Sequence, residues 1–428
     1  MKNFLTLLVL ALPAATPIQA APNVLIIIAD DMGLDASRCY AVGQQQATMP
    51  NIEALCDTGV VFENAYAAPV CSPTRATIMT GQYGFRTGVG ATVSRNGENG
   101  LSSDMTSLFD VVSGAGYSSN LIGKWHLAGA EAGLDHPSEF GVSDYWGLFS
   151  GTARNYSRWT SVANEAEVRV NEYSTTAFTN RAIDWIGAQD GPWFLWLAYN
   201  APHAPFHLPP AELHTAHDLL DSRDAIAANP LPYYNAMLQA LDTEIGRLFA
   251  SMDPETRENT IVIFLGDNGS PNQVTRGFYG DHRAKGSIYE GGTHVPLIVA
   301  GPDVQAGRSD DFVTTTDLFA TIAGLTGAQV SMPDSYDFGP VLTGGQSARD
   351  YIYVEHFAQD GPSRGDMFGH ALRQNDYKLV LEQGAQPELY NLAIDPREAT
   401  DLLADGVSAD EAAIVARLTA RIDVIRGE

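Results

Sequence analysis

Four short apolar runs, each broken off by a loop that carries charged or amide side chains, constrain this chain more than any other feature. Residues 24–29 are continuously apolar and β-branched, and Asp30-Asp31 follow at once. Residues 118–122 lead into Gly123-Lys124-Trp125-His126, residues 193–199 into Asn200-Ala201-Pro202-His203-Ala204-Pro205, and residues 260–265 into Gly266-Asp267-Asn268-Gly269. Runs of this kind suit strands buried on both faces of a parallel sheet. Ligands of open α/β sheets bind outside the carboxyl ends of the strands, so four such ends predict one site at one edge of an α/β fold. Taken singly, Asp30-Asp31 can equally open a turn or cap a helix, and Asp267-Asn268-Gly269 can be an ordinary turn.

A fifth stretch, Cys71-Ser72-Pro73-Thr74-Arg75, reads as a helix start. Ser72 can cap and Pro73 suits the first turn, which places Cys71 where backbone N–H groups and the helix dipole favour negative charge. With Arg75 one turn further on, Cys71 becomes a candidate activated nucleophile facing a cation suited to sulfate or phosphate oxygens. Alone, it reads equally as a small buried thiol beside a surface arginine. Lysine usage is informative too: the chain has only four, Lys2, Lys124, Lys285 and Lys378. Two of them fall in loops of interest, where a compact ammonium can donate a proton as arginine does poorly.

Cys71, Pro73, Arg75, Thr80 and Gly81 reproduce a C-x-P-x-R-x-x-x-x-T-G pattern. Gly116-Tyr117-Ser118 running through Gly123-Lys124 to His126 forms a second signature, and Lys285-Gly286 with Glu290-Gly291-Gly292 forms a K-G-x-x-x-E-G-G segment. On these motifs the chain resembles the type I, formylglycine-dependent sulfatases of the alkaline phosphatase-like superfamily, over about residues 23–403. The resemblance implies a large central, mostly parallel or mixed sheet flanked by helices, with a smaller C-terminal α+β subdomain carrying an antiparallel sheet. It implies that Cys71 is oxidised to formylglycine by a maturation enzyme. It also implies one calcium ion held by Asp30, Asp31, Asp267, Asn268 and the residue at 71, an oxygen-rich set suited to a hard cation. Arg75 would stabilise the aldehyde hydrate, Lys124, Lys285 and His203 would bind sulfate and serve the leaving oxygen, and His126 would act as base. His294, near which many relatives carry arginine, would be a substrate contact. The implied activity is hydrolysis of sulfate monoesters on small molecules or saccharides. A formylglycine-dependent phosphodiesterase or phosphonate monoester hydrolase, and a non-catalytic carbohydrate-binding protein, are the alternatives.

With 51 acidic against 25 basic side chains, the formal charge of −26 argues against nucleic acid or anionic membranes as partners. Residues 1–20 read as a secretory signal cleaved near Ala20, with Lys2 ahead of a short apolar core, and imply a periplasmic or secreted protein. The expected organisation is a catalytic domain over 21–335 and a C-terminal subdomain over 336–428. Within the latter, residues 351–355 and 377–381 read as strands and 412–425 as a helix. Segments 135–169 and 208–234, rich in Trp, Tyr, His and Asn, are expected to be specificity loops. Cys39 and Cys56 are expected to be two separate buried thiols, since their spacing does not show that their Cα atoms approach.

Overall fold

The computed structural model describes residues 21–427 except 44, 96–99, 164, 276 and 359–366. The stretch read as a secretory signal therefore lies outside the described residues. Ten strands form the main sheet: β1 Asn23–Ala29, β2 Val60–Tyr66, β3 Ser118–Gly123, β4 Trp146–Gly147, β5 Trp159–Ala163, β6 Ala166–Val170, β7 Trp193–Ala198, β8 Thr260–Gly266, β9 Leu297–Ala300 and β10 Gly307–Thr314. Their spatial order is β10-β2-β9-β8-β1-β7-β3-β4-β5-β6.

The four runs picked out by the sequence are the four adjacent central strands β8, β1, β7 and β3, all mutually parallel. Their continuous apolarity has a direct cause. Val24, Ile26 and Ile28 pack into one core with Phe109, Trp125 and Phe319, while Leu25, Ile27 and Ala29 pack into the other with Ile52, Phe178 and Leu241. Helices cover both faces, so the middle of each strand is apolar, and polar residues such as Asn23, Ser118 to Asn120 and Thr260 are confined to the strand starts. Four parallel strands of matched register then deliver their carboxyl ends to one rim. Strand β9 runs antiparallel between β2 and β8, and the β4–β5–β6 extension is antiparallel at the other edge, so the sheet is mixed.

That extension corrects one expectation. Segment 135–169 is not simply a loop: it contributes β4, β5 and part of β6, and its tyrosines turn inward. Cys39 and Cys56, expected to be separate thiols, form a disulfide across a Cα separation of 6.1 Å, and Cys71 is the free cysteine. The fold brings the turn after β1 against helix Pro50–Thr58, an approach that chain spacing does not encode.

Four further strands, β11 Ile352–Phe357, β12 Met367–Gln374, β13 Tyr377–Glu382 and β14 Glu388–Asn391, make a separate antiparallel sheet. Helix Ala409–Arg426 begins with a Ser408/Glu411 capping box and lays Leu418, Ile422 and Ile425 on it. The opposite face meets the main body, where Ile352, Val354, Ala371 and Val380 pack with Tyr66, Ile288 and Tyr289. Among the described residues no helix is long and apolar enough to cross a membrane.

Candidate active site

The rim of the four parallel strands gathers Asp30 and Asp31 from β1, Lys124 and His126 from β3, His203 from β7 and Asp267 and Asn268 from β8. Helix Cys71–Thr80 points its first residue into this group. Its cap is Val70 in extended conformation, with no side-chain cap. Ser72, expected to cap, lies one position inside the helix, and its hydroxyl instead accepts the Val93 N–H at 3.0 Å. Pro73 sits in the first turn as expected.

The Cys71 thiol donates to Asp30 Oδ1 at 3.2 Å and stands 3.9 Å from Asp31 Oδ1 and from Lys285 Nζ. Each adjacent carboxylate is matched to an ammonium: Lys124 Nζ lies 2.6 Å from Asp30 Oδ2, and Lys285 Nζ lies 2.5 Å from Asp31 Oδ1. Arg75 is fully buried rather than a surface arginine. It clamps Asp267 Oδ2 at 2.8 Å and the Lys124 carbonyl at 2.8 Å, while its Nε–H has no partner among the described residues. Three carboxylates thus face three permanent cations. Of the site's basic side chains, Lys285 is 21% exposed and His203 18%, against 0% for Lys124 and Arg75.

His203 Nδ1–H donates to the Ala204 carbonyl at 2.6 Å, which turns Nε2 toward Asp31 Oδ2, 3.7 Å away. His126 places Nε2 3.2 Å from the Val93 carbonyl and leaves Nδ1 buried without a partner among the described residues. Both Asp31 (φ 71°) and His126 (φ 58°) occupy the left-handed region, which costs an L residue about 1 kcal/mol or more. The surroundings hold them there. Asp31 N–H donates to Asp267 Oδ1 at 3.0 Å, and His126 N–H donates to the Phe149 carbonyl at 3.1 Å.

Burial would raise Asp30, but Lys124, His203, Arg75 and Lys285 outweigh it and hold this carboxyl below the usual range. Burial, with repulsion from Asp30, pushes Asp267 up to about 6 despite Arg75. Burial and the Lys124 and Arg75 charges hold His126 well below an ordinary imidazole, as a neutral proton acceptor. Burial and the Asp267 and Asp30 charges push the Cys71 thiol well up. The carboxylates around the thiol outweigh the helix N-terminus and favour its neutral form.

The donor set fits a hard cation. Asp30, Asp31, Cys71 and His203 offer ligand atoms within 4.8 Å of one another. Asn268 adds the sharpest sign: its Nδ2 donates to Asp31 Oδ1 at 2.9 Å, while its Oδ1 is buried with no partner among the described residues. An orphaned amide oxygen beside three carboxylates is what an oxygen-ligated divalent ion would satisfy.

His294 is not brought to this group. Its ring stacks on Tyr66, with Nδ1 3.0 Å from Glu290 and Nε2 2.8 Å from the Glu63 carbonyl. These partners fix the ring, which is 15% exposed and borders a separate cavity with Glu290 and Arg373. Sequence reasoning also missed the supports. Tyr234 OH donates to the Asp31 carbonyl at 2.8 Å, and Tyr156 OH donates to the Asn200 and His203 carbonyls at 2.5 Å. Both belong to segments flagged for their aromatics, which was the available signal. Gly151 lies so close to His126 that a Cβ there would overlap its ring, and no local pattern marks it.

A buried cysteine at a helix start, ringed by carboxylates and cations on the rim of a mixed α/β sheet, is an arrangement suited to a hydrolase of anionic esters. The sulfatase family model matches residues 22–328, and this chain belongs to the sulfatase family, making it a sulfuric ester hydrolase. It is 28% identical to the uncharacterized sulfatase YidJ of Escherichia coli K12, over 91% of this chain and 84% of that one. It is 29% identical to the N-acetylgalactosamine-6-sulfatase of Canis lupus familiaris, over 76% of this chain and 66% of that one. The crystal structure of Ps i-CgsB superposes with a TM-score of 0.81 at 25% identity, covering 95% of this chain and 93% of that one.

Proposed function

We propose that this chain is an exported sulfatase that removes sulfate from saccharides, using a formylglycine made from Cys71 and one calcium ion. The observation that carries the reading is the Cys71 position itself, in contact with Asp30, Asp31 and Lys285 and beside the orphaned Asn268 Oδ1. Asp30, Asp31, Asp267 and Asn268 would hold the ion, and His203 is near enough to Asp31 to border it. A calcium ion and a hydrated formylglycine supply a polarising charge and two geminal hydroxyls, one to displace the ester oxygen from sulfur and one to let sulfate leave.

The remaining work falls to side chains of this chain. Lys124 and Lys285 present ammonium groups to the sulfate oxygens and lower the repulsion that shields sulfur from an incoming oxygen. His203, fixed by Ala204, presents Nε2 to the leaving oxygen and in its doubly protonated form can donate a proton there. His126, kept neutral, accepts a proton at Nδ1. Arg75 neutralises Asp267 and orients it. The charges of the three carboxylates and three cations cancel, so a dication leaves the pocket positive, which suits a sulfate monoanion.

A saccharide substrate is supported by the name of the N-acetylgalactosamine-6-sulfatase relative and by the aromatic segments bordering His203. Export is supported by the composition of residues 1–20. Mass spectrometry of the protein from an oxidising compartment tests the central claim, with the peptide carrying position 71 expected as the aldehyde. A panel of sulfate, phosphate and phosphonate esters should then show sulfate esters turned over fastest. An unmodified cysteine in protein that hydrolyses sulfate esters would overturn the mechanism, and faster turnover of a phosphodiester or phosphonate would move the chain to the alternative class.

A further inference from the structure

Of the lysines in the described residues, Lys124 and Lys285 stand in the site and Lys378 does not. Lys378 lies on β13 of the C-terminal sheet, is 1% exposed, and is enclosed by two carboxylates from elsewhere. Its Nζ is 2.9 Å from Glu290 Oε1 and 2.8 Å from Glu398 Oε1. The Glu290 N–H donates to Glu398 Oε2 at 2.7 Å, and Tyr66 OH donates to Glu290 Oε2 at 2.7 Å. Burial opposes charge throughout: the carboxylates still hold Lys378 protonated and Lys378 with His294 holds Glu290 below the usual carboxylate range, while burial and the Glu290 charge push Glu398 up despite Lys378.

What Glu290 begins is the turn Glu290–Thr293, and this turn is the back wall of the site. Gly269 N–H, next to Asn268, donates to the Gly292 carbonyl at 2.9 Å, and Ala67 N–H, on the approach to Cys71, donates to the Thr293 carbonyl at 2.8 Å. A Cβ at Gly269 would fall inside the Gly291 carbonyl, so the two loops touch with no slack. The segment entering the turn carries Lys285, whose N–H donates to the Ser270 carbonyl at 3.1 Å, while the Gly286 N–H donates to the Pro69 carbonyl at 2.9 Å. Movement of Glu290 is therefore passed to the Asn268 loop, the lead into Cys71 and the Lys285 ammonium.

We propose that Lys378 is a positioning residue for sulfate-ester hydrolysis: held between Glu290 and Glu398, its ammonium fixes the Glu290–Thr293 turn and through it Lys285 and Asn268. The assignment rests on Lys285 binding the sulfate group. It also accounts for a lysine here in a chain whose other cations are nearly all arginine. Two acceptors converge on one small buried point, which an ammonium fills, whereas the planar fork of a guanidinium would push Glu290 outward.

The test uses Lys378→Arg and Lys378→Gln, with Lys285→Gln alongside, assayed on 4-nitrophenyl sulfate with inorganic sulfate as competing ligand. Both Lys378 variants should fold, keep the same fraction of aldehyde at position 71, and lose at least tenfold in kcat/KM. Their inhibition by sulfate should weaken at least fivefold, with the same division between kcat and KM as Lys285→Gln. Full kcat/KM and sulfate inhibition in Lys378→Arg would overturn the proposal, as would loss of the folded protein or of the aldehyde, each of which assigns Lys378 to folding or maturation. If Lys285→Gln loses activity while the Lys378 variants do not, only the positioning role fails. If Lys285→Gln is fully active, the sulfate-binding reading of Lys285 fails as well.

Discussion

Cys71 shows how far a single residue can be read. Its spacing to Pro73, Arg75, Thr80 and Gly81 marked it, and the helix start was legible from Pro73. Its electrostatic state was not, because Asp30 and Asp267 arrive from strands distant in sequence and outweigh the helix dipole. The reading predicts that Cys71→Ala leaves the fold intact, since the residue is small and buried, and removes turnover by at least ~10³-fold, the scale of loss for a covalent nucleophile. Activity on a chromogenic sulfate ester together with a melting curve decides it. Asp267→Asn is the sharper probe of the ion site. It keeps shape but leaves Arg75 without its charge partner, so calcium content by elemental analysis and activity should fall together, with a stability loss of about 3–5 kcal/mol if the buried pair is effectively broken. Full activity after exhaustive chelation would count against the ion.

At the scale of elements, the central strands were legible because both of their faces are covered, which leaves a run such as Leu25-Ile26-Ile27 no polar position. The β4–β5–β6 extension was not, because two- to five-residue strands pairing at an edge leave no long apolar run. The Cys39–Cys56 bridge was equally hidden, since helix packing rather than spacing brings it together. It closes a loop of 17 residues, and replacing both cysteines by serine should cost about 3 kcal/mol in denaturant unfolding, by the loop-closure argument. The C-terminal sheet carries its own pH dependence. Burial raises Glu355 from 4.5 to about 7, against the pull of the Phe85 N–H, Tyr353 and Arg426. Between those values the folded state holds a proton that the unfolded chain has released, so the contribution of Glu355 to stability is fully present below about 4.5 and is lost as pH rises through about 7. The loss should reach up to about 3 kcal/mol, and Glu355→Gln should flatten the dependence of the melting temperature on pH.

For the whole molecule, the charge of −26 surrounds a site that must admit anions. The field should hinder a densely sulfated chain more than a monosulfated sugar, and salt should relieve it, since screening reaches ~10 Å at about 0.1 M. Raising ionic strength should therefore increase kcat/KM for a multiply sulfated oligosaccharide while changing that for 4-nitrophenyl sulfate little. Equal salt responses would mean that the acidic surface lies away from the path to the site.

The sequence by itself determined which side chains meet at the rim: Asp30, Asp31, Lys124, His126, His203, Asp267 and Asn268 each follow a buried strand, and parallel strands of similar length must end on one side. It also marked Cys71, through the Cys71-x-Pro73-x-Arg75 pattern, as the first residue of interest at a helix start. Tertiary structure alone decided what those side chains are. The pairing of Lys124 with Asp30 and of Arg75 with Asp267, the neutral His126, the bridged Cys39 and Cys56, and His294 turned away onto Tyr66 and Glu290 all depend on groups that are far apart along the chain. Periodicity records burial, which is a property of one element. Charge state and contact belong to pairs of elements, and only the packed molecule brings those pairs within range of each other.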